Sequence, residues 1–290
     1  MATNILKAIM NIKKRADNSL LNIYVIPKIN PSAVNRANNV GEALEFYMRD
    51  AFCDTFSEKN AKKKKESYSK NFSYLGNQNN PPDIIIKESD AIEVKKIGGL
   101  NGTDLALNSS YPKSKLFANS PLITQACKDC EKGWKEKDML YSVGFVEKDK
   151  LKLLILVYGD CYAADPEIYE KVKGTVVQEL GKSALEFSET NEIGRVNRVD
   201  PLGITNLRIR GMWTIQNPLR VFSDIFSYKK GMDEFTLIAL MKKSKYSSMP
   251  KEDRAIIEKD KYFKLKDVKI SDPNNPAKQL EAKLIIHTQK

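Results

Sequence analysis

Residues 41–52, GEALEFYMRDAF, carry apolar side chains at Leu44, Tyr47, Met48, Ala51 and Phe52. That spacing predicts an amphipathic helix with one buried face, and Glu45 lies beside that face. A different period takes over further on. DIIIK and AIEVKKI, joined by the polar turn ESD, read as two paired strands. Before them, the Gly, Asn and Pro content of NFSYLGNQNNPPD marks a loop, and Pro81 with Pro82 fixes an extended approach to Asp83. A helix is expected over residues 121–134, then two strong strands, MLYSVGFVE and KLLILVYGD, turning at KDK. DPEIYEKVKGTVVQELG has a full set of helix signals, with Asp165 at the cap, Pro166 in the first turn and Gly181 at the end. The remainder alternates strand candidates, EFTLIALM, DVKI and AKLIIHT, with one charged helix over residues 250–262. This order predicts one α/β domain over residues 1–290, built on a central mixed sheet flanked by helices.

At 290 residues, 41% of them hydrophobic and 29% charged, the chain can bury a sizeable core. Its longest apolar stretch, LLILVYG at residues 153–159, is far short of the ~20 residues a membrane span needs. The N-terminus lacks the order of basic, apolar and small-residue regions that marks a signal peptide, so a cytoplasmic address is expected. The four cysteines are too scattered for a disulfide framework. Cys127 and Cys130 form CKDC, but a closed zinc site usually takes four ligands, and the single histidine, His287, is remote in sequence. Two thiols on a helix turn is the better reading of that motif.

Charge points to a partner. Lys and Arg number 48 against 37 Asp and Glu, a formal net charge of +11, which favours a polyanion and above all nucleic acid. Part of the excess sits in NAKKKKES, residues 60–67, and a lysine run of this kind reads as a solvated, mobile segment. Arginines are more informative, because the planar guanidinium can grip a phosphate or the O6/N7 edge of guanine with two hydrogen bonds. IGRVNRVDPLGITNLRIRGMW, residues 193–213, supplies Arg195, Arg198, Arg208 and Arg210. Arg208 and Arg210 alternate around Ile209 as two base readers would, and a phosphate-touching rim is about as good a reading of either. Arg195 and Arg198, three apart, suit one face of a turn and contact with phosphate. Gln78 and Asn79, with Asn80, adjoin the prolines and suit either the minor groove or a turn.

The stretch PPDIIIKESDAIEVKK, residues 81–96, carries the candidate chemistry. Glu93 and Lys95 are two apart and share one strand face, while Val94 points the other way into packing. A hairpin brings Asp83 near that face. Two carboxylates at the ends of adjacent strands suit Mg²⁺, a hard cation that prefers oxygen ligands and keeps positions open for water and phosphate. A neighbouring lysine can orient an attacking water or lower its pKa. The tripeptide alone is weak, since Asp267-Val268-Lys269 and Glu281-Ala282-Lys283 match it as well. A solvated hairpin face is its bland alternative. The succession of helix with Glu45, loop, proline and acid, strand, turn and ExK argues against an accident.

That succession resembles the PD-(D/E)xK nuclease superfamily, through Pro82, Asp83, Glu93 and Lys95. NRANNVGEALE, YLGNQNNPPDIII, EVKKIGG, LNSSYPKSKL and GRVNRVDPLGITNLRIRGMW are more specifically similar to type II restriction endonucleases of the NgoPII type. The resemblance implies a restriction-endonuclease-like fold and a Mg²⁺-dependent enzyme of a bacterium or archaeon. It implies cutting of both strands of duplex DNA at a short palindrome, GGCC, with a partner methyltransferase protecting that site. Asp83, Glu93 and Lys95 carry over as catalytic, with Asp83 and Glu93 on the metal and Glu45 as an auxiliary acid. A palindrome is most simply read by a twofold symmetric pair, so a homodimer is expected. On this reading residues 35–180 hold the catalytic core, residues 190–220 the DNA-reading segment and residues 221–290 an elaboration. A repair or junction nuclease on the same motif, and a non-catalytic basic DNA-binding protein, are the alternatives.

Overall fold

In the computed structural model, residues 2–17, 36–77, 80–100, 104–108, 110–148, 150–231 and 234–289 are described. Gln78 and Asn79 lie outside them, as do the side chains of Asn77 and Asn80.

Eight strands form the main path of a nine-stranded mixed sheet. In chain order the first are β1 (Phe72–Asn77), β2 (Asn80–Ile86), β3 (Ala91–Ile97), β4 (Leu105–Ala106) and β5 (Lys115–Phe117). Then come β6 (Glu136–Glu147), β7 (Lys150–Tyr158), β8 (Phe187–Glu189), β9 (Gly194–Val196), β10 (Leu207–Ile209) and β11 (Thr214–Ile215). β12 (Phe235–Lys242), β13 (Phe263–Asp272) and β14 (Asn275–Gln289) complete the set. The main sheet runs β1-β2-β3-β6-β7-β12-β14-β13, with β5 added beside β6. β3 with β6 and β7 with β12 pair in parallel, and their neighbours pair antiparallel. This is the mixed α/β sheet that the periodicity predicts.

Helices α1 (Ile5–Asp17), α2 (Arg36–Cys53) and α3 (Ala61–Asn71) precede the sheet. The others are α4 (Gln125–Lys128), α5 (Pro166–Gly181), α6 (Pro218–Val221), α7 (Lys243–Ser248) and α8 (Lys251–Lys259). Alternation along β2 and β3 splits the core in two. Ile84, Ile86, Ile92 and Val94 pack with Leu44, Met48 and Phe52 of α2 and with Ile5 and Ile9 of α1. Ile85, Ala91 and Ile97 face the other side, with Tyr141, Tyr162 and Phe222. Both central layers are almost wholly apolar, as strands covered on two faces must be.

Several local expectations change. The lysine run is not loose: residues 61–71 form α3, because the Asn60 side chain caps Lys62 and Lys63. Lys64 and Tyr68 then reach back to Asp50 of α2 at 2.6 Å each. The loop expected before Asp83 is largely β1, pairing antiparallel with β2 and shifting register twice along its length. Of the helix expected over residues 121–134 only α4 forms, capped by Thr124. Cys127 of α4 is buried and Cys130 half-buried, both as free thiols. Asp165 stands at the N-cap position of α5, yet its side chain makes no cap bond and accepts from Ser114 Oγ at 3.1 Å.

Candidate active site and DNA-reading ribbon

β2 and β3 are short, adjacent and antiparallel, pairing Ile84 with Ile92 and Ile85 with Ala91. Continuing that register puts Asp83 beside the middle of β3. There its Oδ2 accepts from the backbone N–H of Val94 at 2.6 Å. Glu93 and Lys95 share the face of β3 opposite to Val94, and Lys95 Nζ is 2.5 Å from Glu93 Oε1. The hairpin thus brings Asp83, Glu93 and Lys95 together. Asp83 and Glu93 are both 8% exposed, an unusual depth for two acids side by side.

Electrostatics follow from that burial. Desolvation pushes the Asp83 carboxyl well above the usual range and Glu93 adds to the rise, while Lys95 and the Val94 N–H oppose it. Burial acts to lower Lys95, but the charges of Glu93 and Asp83 outweigh it and hold the ammonium above its ordinary value. Glu45 sits on α2, over the other face of the sheet. It nevertheless acts electrostatically on Asp83 and Lys95, and burial raises its own carboxyl against the pull of Arg49. Arg49 Nη2 donates to Glu45 Oε2 at 3.2 Å, so Glu45 is already engaged.

Do these groups fit a divalent cation? Glu93 Oε2 is buried with no hydrogen-bond partner, and a lone buried carboxylate oxygen is costly unless a cation or donor meets it. Beside it, Asp83 is raised partly by Glu93's charge, which a cation between the two would relieve. Among the described residues no cluster of three or more His, Cys, Asp and Glu is placed to hold a metal. Two carboxylates suffice for Mg²⁺, which keeps several waters and takes phosphate oxygens as further ligands. The residues fit.

The arginine segment forms a separate three-stranded ribbon, β8-β9-β10. Its register sets Arg195 directly opposite Arg208, so these two share a face. The turn face expected for Arg195 with Arg198 does not form: β9 ends at Val196, and Arg198 lies beyond it in the left-handed region, φ 47°. Glu186 holds Arg198 at 2.5 Å. Sequence reasoning missed Glu192, whose two carboxylate oxygens take Arg208 at 3.3 Å and Arg210 at 2.8 Å. Both arginines stay mostly exposed while Glu192 is largely covered, a geometry that orients two guanidinium groups outward.

Sequence reasoning also missed Asp90, placed in the polar turn between β2 and β3. It is 3% exposed and accepts from Tyr158 Oη at 2.6 Å and Lys245 Nζ at 2.7 Å. Lys245 lies 155 residues away in the chain, beyond the reach of any local pattern.

A proline-acid pair, a second acid and a lysine gathered at one place on the sheet, in a strongly cationic chain, are the parts that the resemblance to PD-(D/E)xK nucleases leads one to expect. The comparisons with known proteins narrow the class. The sequence model of the NgoPII restriction endonuclease family matches residues 3–271. A relative from Neisseria gonorrhoeae, described as "Type II restriction enzyme NgoPII", is 45% identical over 287 residues, 98% of this chain and 99% of the relative. No solved structure matches. The chain belongs to the NgoPII restriction endonuclease family and is a type II restriction enzyme, a site-specific deoxyribonuclease acting on DNA. Enzymes of this type generally use a divalent metal. No helix among the described residues is long and apolar enough to cross a membrane.

Proposed function

We propose that this enzyme hydrolyses both strands of duplex DNA at the palindrome GGCC, with Mg²⁺, as a homodimer in the cytoplasm whose site a cognate methyltransferase protects. All 290 residues are read as one endonuclease domain. The observation that carries the active site is the trio of two buried acids, Asp83 and Glu93, and half-buried Lys95, with one oxygen of Glu93 left without a partner. Asp83 and Glu93 hold the cation. When bound, Mg²⁺ supplies Lewis-acid charge for the phosphodiester and its in-line transition state. Lys95, paired to Glu93, orients the attacking water opposite the leaving oxygen and compensates the negative charge that gathers on the phosphoryl oxygens. Glu45 trims the local field from the far side of the sheet, acting through charge and not by touching the reacting atoms. Sequencing the ends of plasmid fragments made with Mg²⁺ tests the whole reading: discrete fragments ending within GGCC support it, and smearing or cuts at another sequence overturn it.

Specificity is assigned to the ribbon. Arg208 and Arg210 read guanines while Glu192 keeps both aimed, and Arg195 and Arg198 meet phosphate. Gln78 and Asn79 remain proposed as minor-groove contacts beside the site. Replacing Arg208 or Arg210 by Ala is expected to remove ~1–3 kcal/mol of discrimination at one guanine. Binding titrations on cognate and single-substituted duplexes check this, and equal weakening on random DNA would make both arginines phosphate contacts.

The dimer draws support from α5. None of its residues is buried, and Ile168, Val172 and Val176 line one exposed side at four-residue spacing. Such a stripe is the kind of surface a second copy covers. Val172→Asp is expected to shift the enzyme from dimer to monomer by at least ~10-fold in dissociation constant, roughly 1.4 kcal/mol. Sedimentation velocity over a concentration series reads it, and an unchanged dimer moves the seam elsewhere.

A further inference from the structure

Among the described residues outside the trio, Lys113 is a buried charge with an uncommon setting. It is 8% exposed, within a run of buried residues, Tyr111, Pro112, Lys113 and Ser114, that belongs to no helix or strand. The segment is clamped. The Lys113 backbone N–H donates to Tyr141 Oη at 2.7 Å, and Tyr141 is the residue paired with Glu93 across β3 and β6. On another side Gly159 lies so close that a Cβ there would meet the Lys113 carbonyl oxygen at 2.3 Å. The ammonium itself donates to Ser110 Oγ. Among the described residues no carboxylate forms an ion pair with it within 4.0 Å. Yet it is close enough to Glu93 and Lys95 to feel both charges. Burial lowers its pKa, with Glu93 pulling the other way.

A buried ammonium whose hydrogen-bond partner is a single hydroxyl is costly. An anion arriving at the trio would offset that cost. On the reading of the site given above, that anion is a DNA phosphodiester, and its approach would also raise the lysine's proton affinity again. We propose that Lys113 is a further substrate-contacting residue, its ammonium aligned by Ser110 to bond a non-bridging oxygen of the phosphodiester that reaches the trio. The placement connects the ribbon as well. Tyr111, two residues earlier, stacks on Tyr169 at 5.4 Å and meets Trp213 edge-on at 6.1 Å, and Trp213 closely follows Arg210.

The test compares wild type, Lys95→Met and Lys113→Met in single-turnover cleavage, with Ca²⁺ replacing Mg²⁺ for binding measurements. Lys113→Met keeps the apolar stem, and Lys113→Gln is carried alongside because it retains a polar head for Ser110. Circular dichroism establishes that each variant is folded. Cleavage is expected to slow by about 100-fold or more in either Lys113 variant. A scan then replaces each phosphate near the site with a neutral methylphosphonate. Neutralising one phosphate should weaken binding by wild type about 10-fold and leave binding by the Lys113 variants nearly unchanged, since the partner is already gone. Cleavage by a folded variant within threefold of wild type overturns the inference, and so does a slow variant with wild-type sensitivity at every phosphate, which would make Lys113 a structural ion. If Lys95→Met also cuts at the wild-type rate, the site assignment itself fails, and not Lys113 alone.

Discussion

Asp83→Asn is expected to slow cleavage by at least ~10³-fold, because it removes one of the two anions that hold the cation where charge develops. The same substitution should stabilise the metal-free fold at neutral pH. Burial, then Glu93, holds the Asp83 carboxyl well above its ordinary value in the folded protein. A carboxyl raised in this way helps stability fully only below its unfolded pKa, and loses that contribution as pH rises through the folded value. At neutral pH the wild type therefore carries an unfavourable charge that Asn lacks, while Asn still accepts from the Val94 N–H. Melting curves without metal should place the variant above wild type at pH 8. That gap should narrow as pH falls through the raised folded value and close near the ordinary range. Added Mg²⁺ should raise the wild-type midpoint and leave the variant nearly unmoved. A variant that cuts within tenfold of wild type, or one that melts lower at every pH, would remove Asp83 from the metal site.

The trio was legible in the sequence because its placement is local. Alternation along AIEVKKI puts Glu93 and Lys95 on one face whatever surrounds them, and a short polar turn returns Asp83 to that face. Periods of two and 3.6 likewise predicted β6, β7, α2 and α5, since each depends on residues close in the chain. Features missed from sequence depend on distant partners. α3 reads as a solvated lysine run until Asp50 receives Lys64 and Tyr68. Glu192 is one acid among many until the ribbon folds it under Arg208 and Arg210. Arg195 and Arg198 look like neighbours on a turn, and only strand pairing makes Arg208 the true neighbour of Arg195. Lys113 sits in the family-like block LNSSYPKSKL, but nothing there sets it apart from Lys115, because what marks it is burial without an ion pair. The loop composition of residues 71–83 misled for a physical reason: Asn, Gly and Pro disfavour strands on average, yet Pro81 and Pro82 fall at the register shift between the Leu75–Ile84 and Asn77–Asn80 pairs and short of the pairing with β3, where a missing N–H costs no ladder bond.

Asp90→Ala should be the most destabilising single change near the site, although it touches no catalytic atom. The carboxylate sits in the turn that joins β2 to β3 and is almost wholly buried. Its oxygens satisfy Tyr158 from β7 and Lys245 from α7, and its own carbonyl accepts from Ile86 at 2.9 Å to close the turn. Removing the side chain strands a fully buried phenol and a half-buried ammonium, and loss of one partner from such a network costs about 3–5 kcal/mol. Lys245 keeps Asp138 at 2.6 Å, which limits the ammonium's share and leaves the phenol as the main loss. In a chain of this size that corresponds to a fall of roughly 5–15 °C in Tm. Asp90→Asn, which still accepts from Tyr158 but gives up the charge, should cost about half as much. Since Asp83, Glu93 and Lys95 are untouched, both variants should cut DNA at wild-type specificity when assayed well below their melting points. Urea denaturation with parallel cleavage at low temperature separates the two effects. A loss below 1 kcal/mol would show that the hairpin is held by its apolar contacts alone, through Ile84, Ile86 and Ile92 packing under α2.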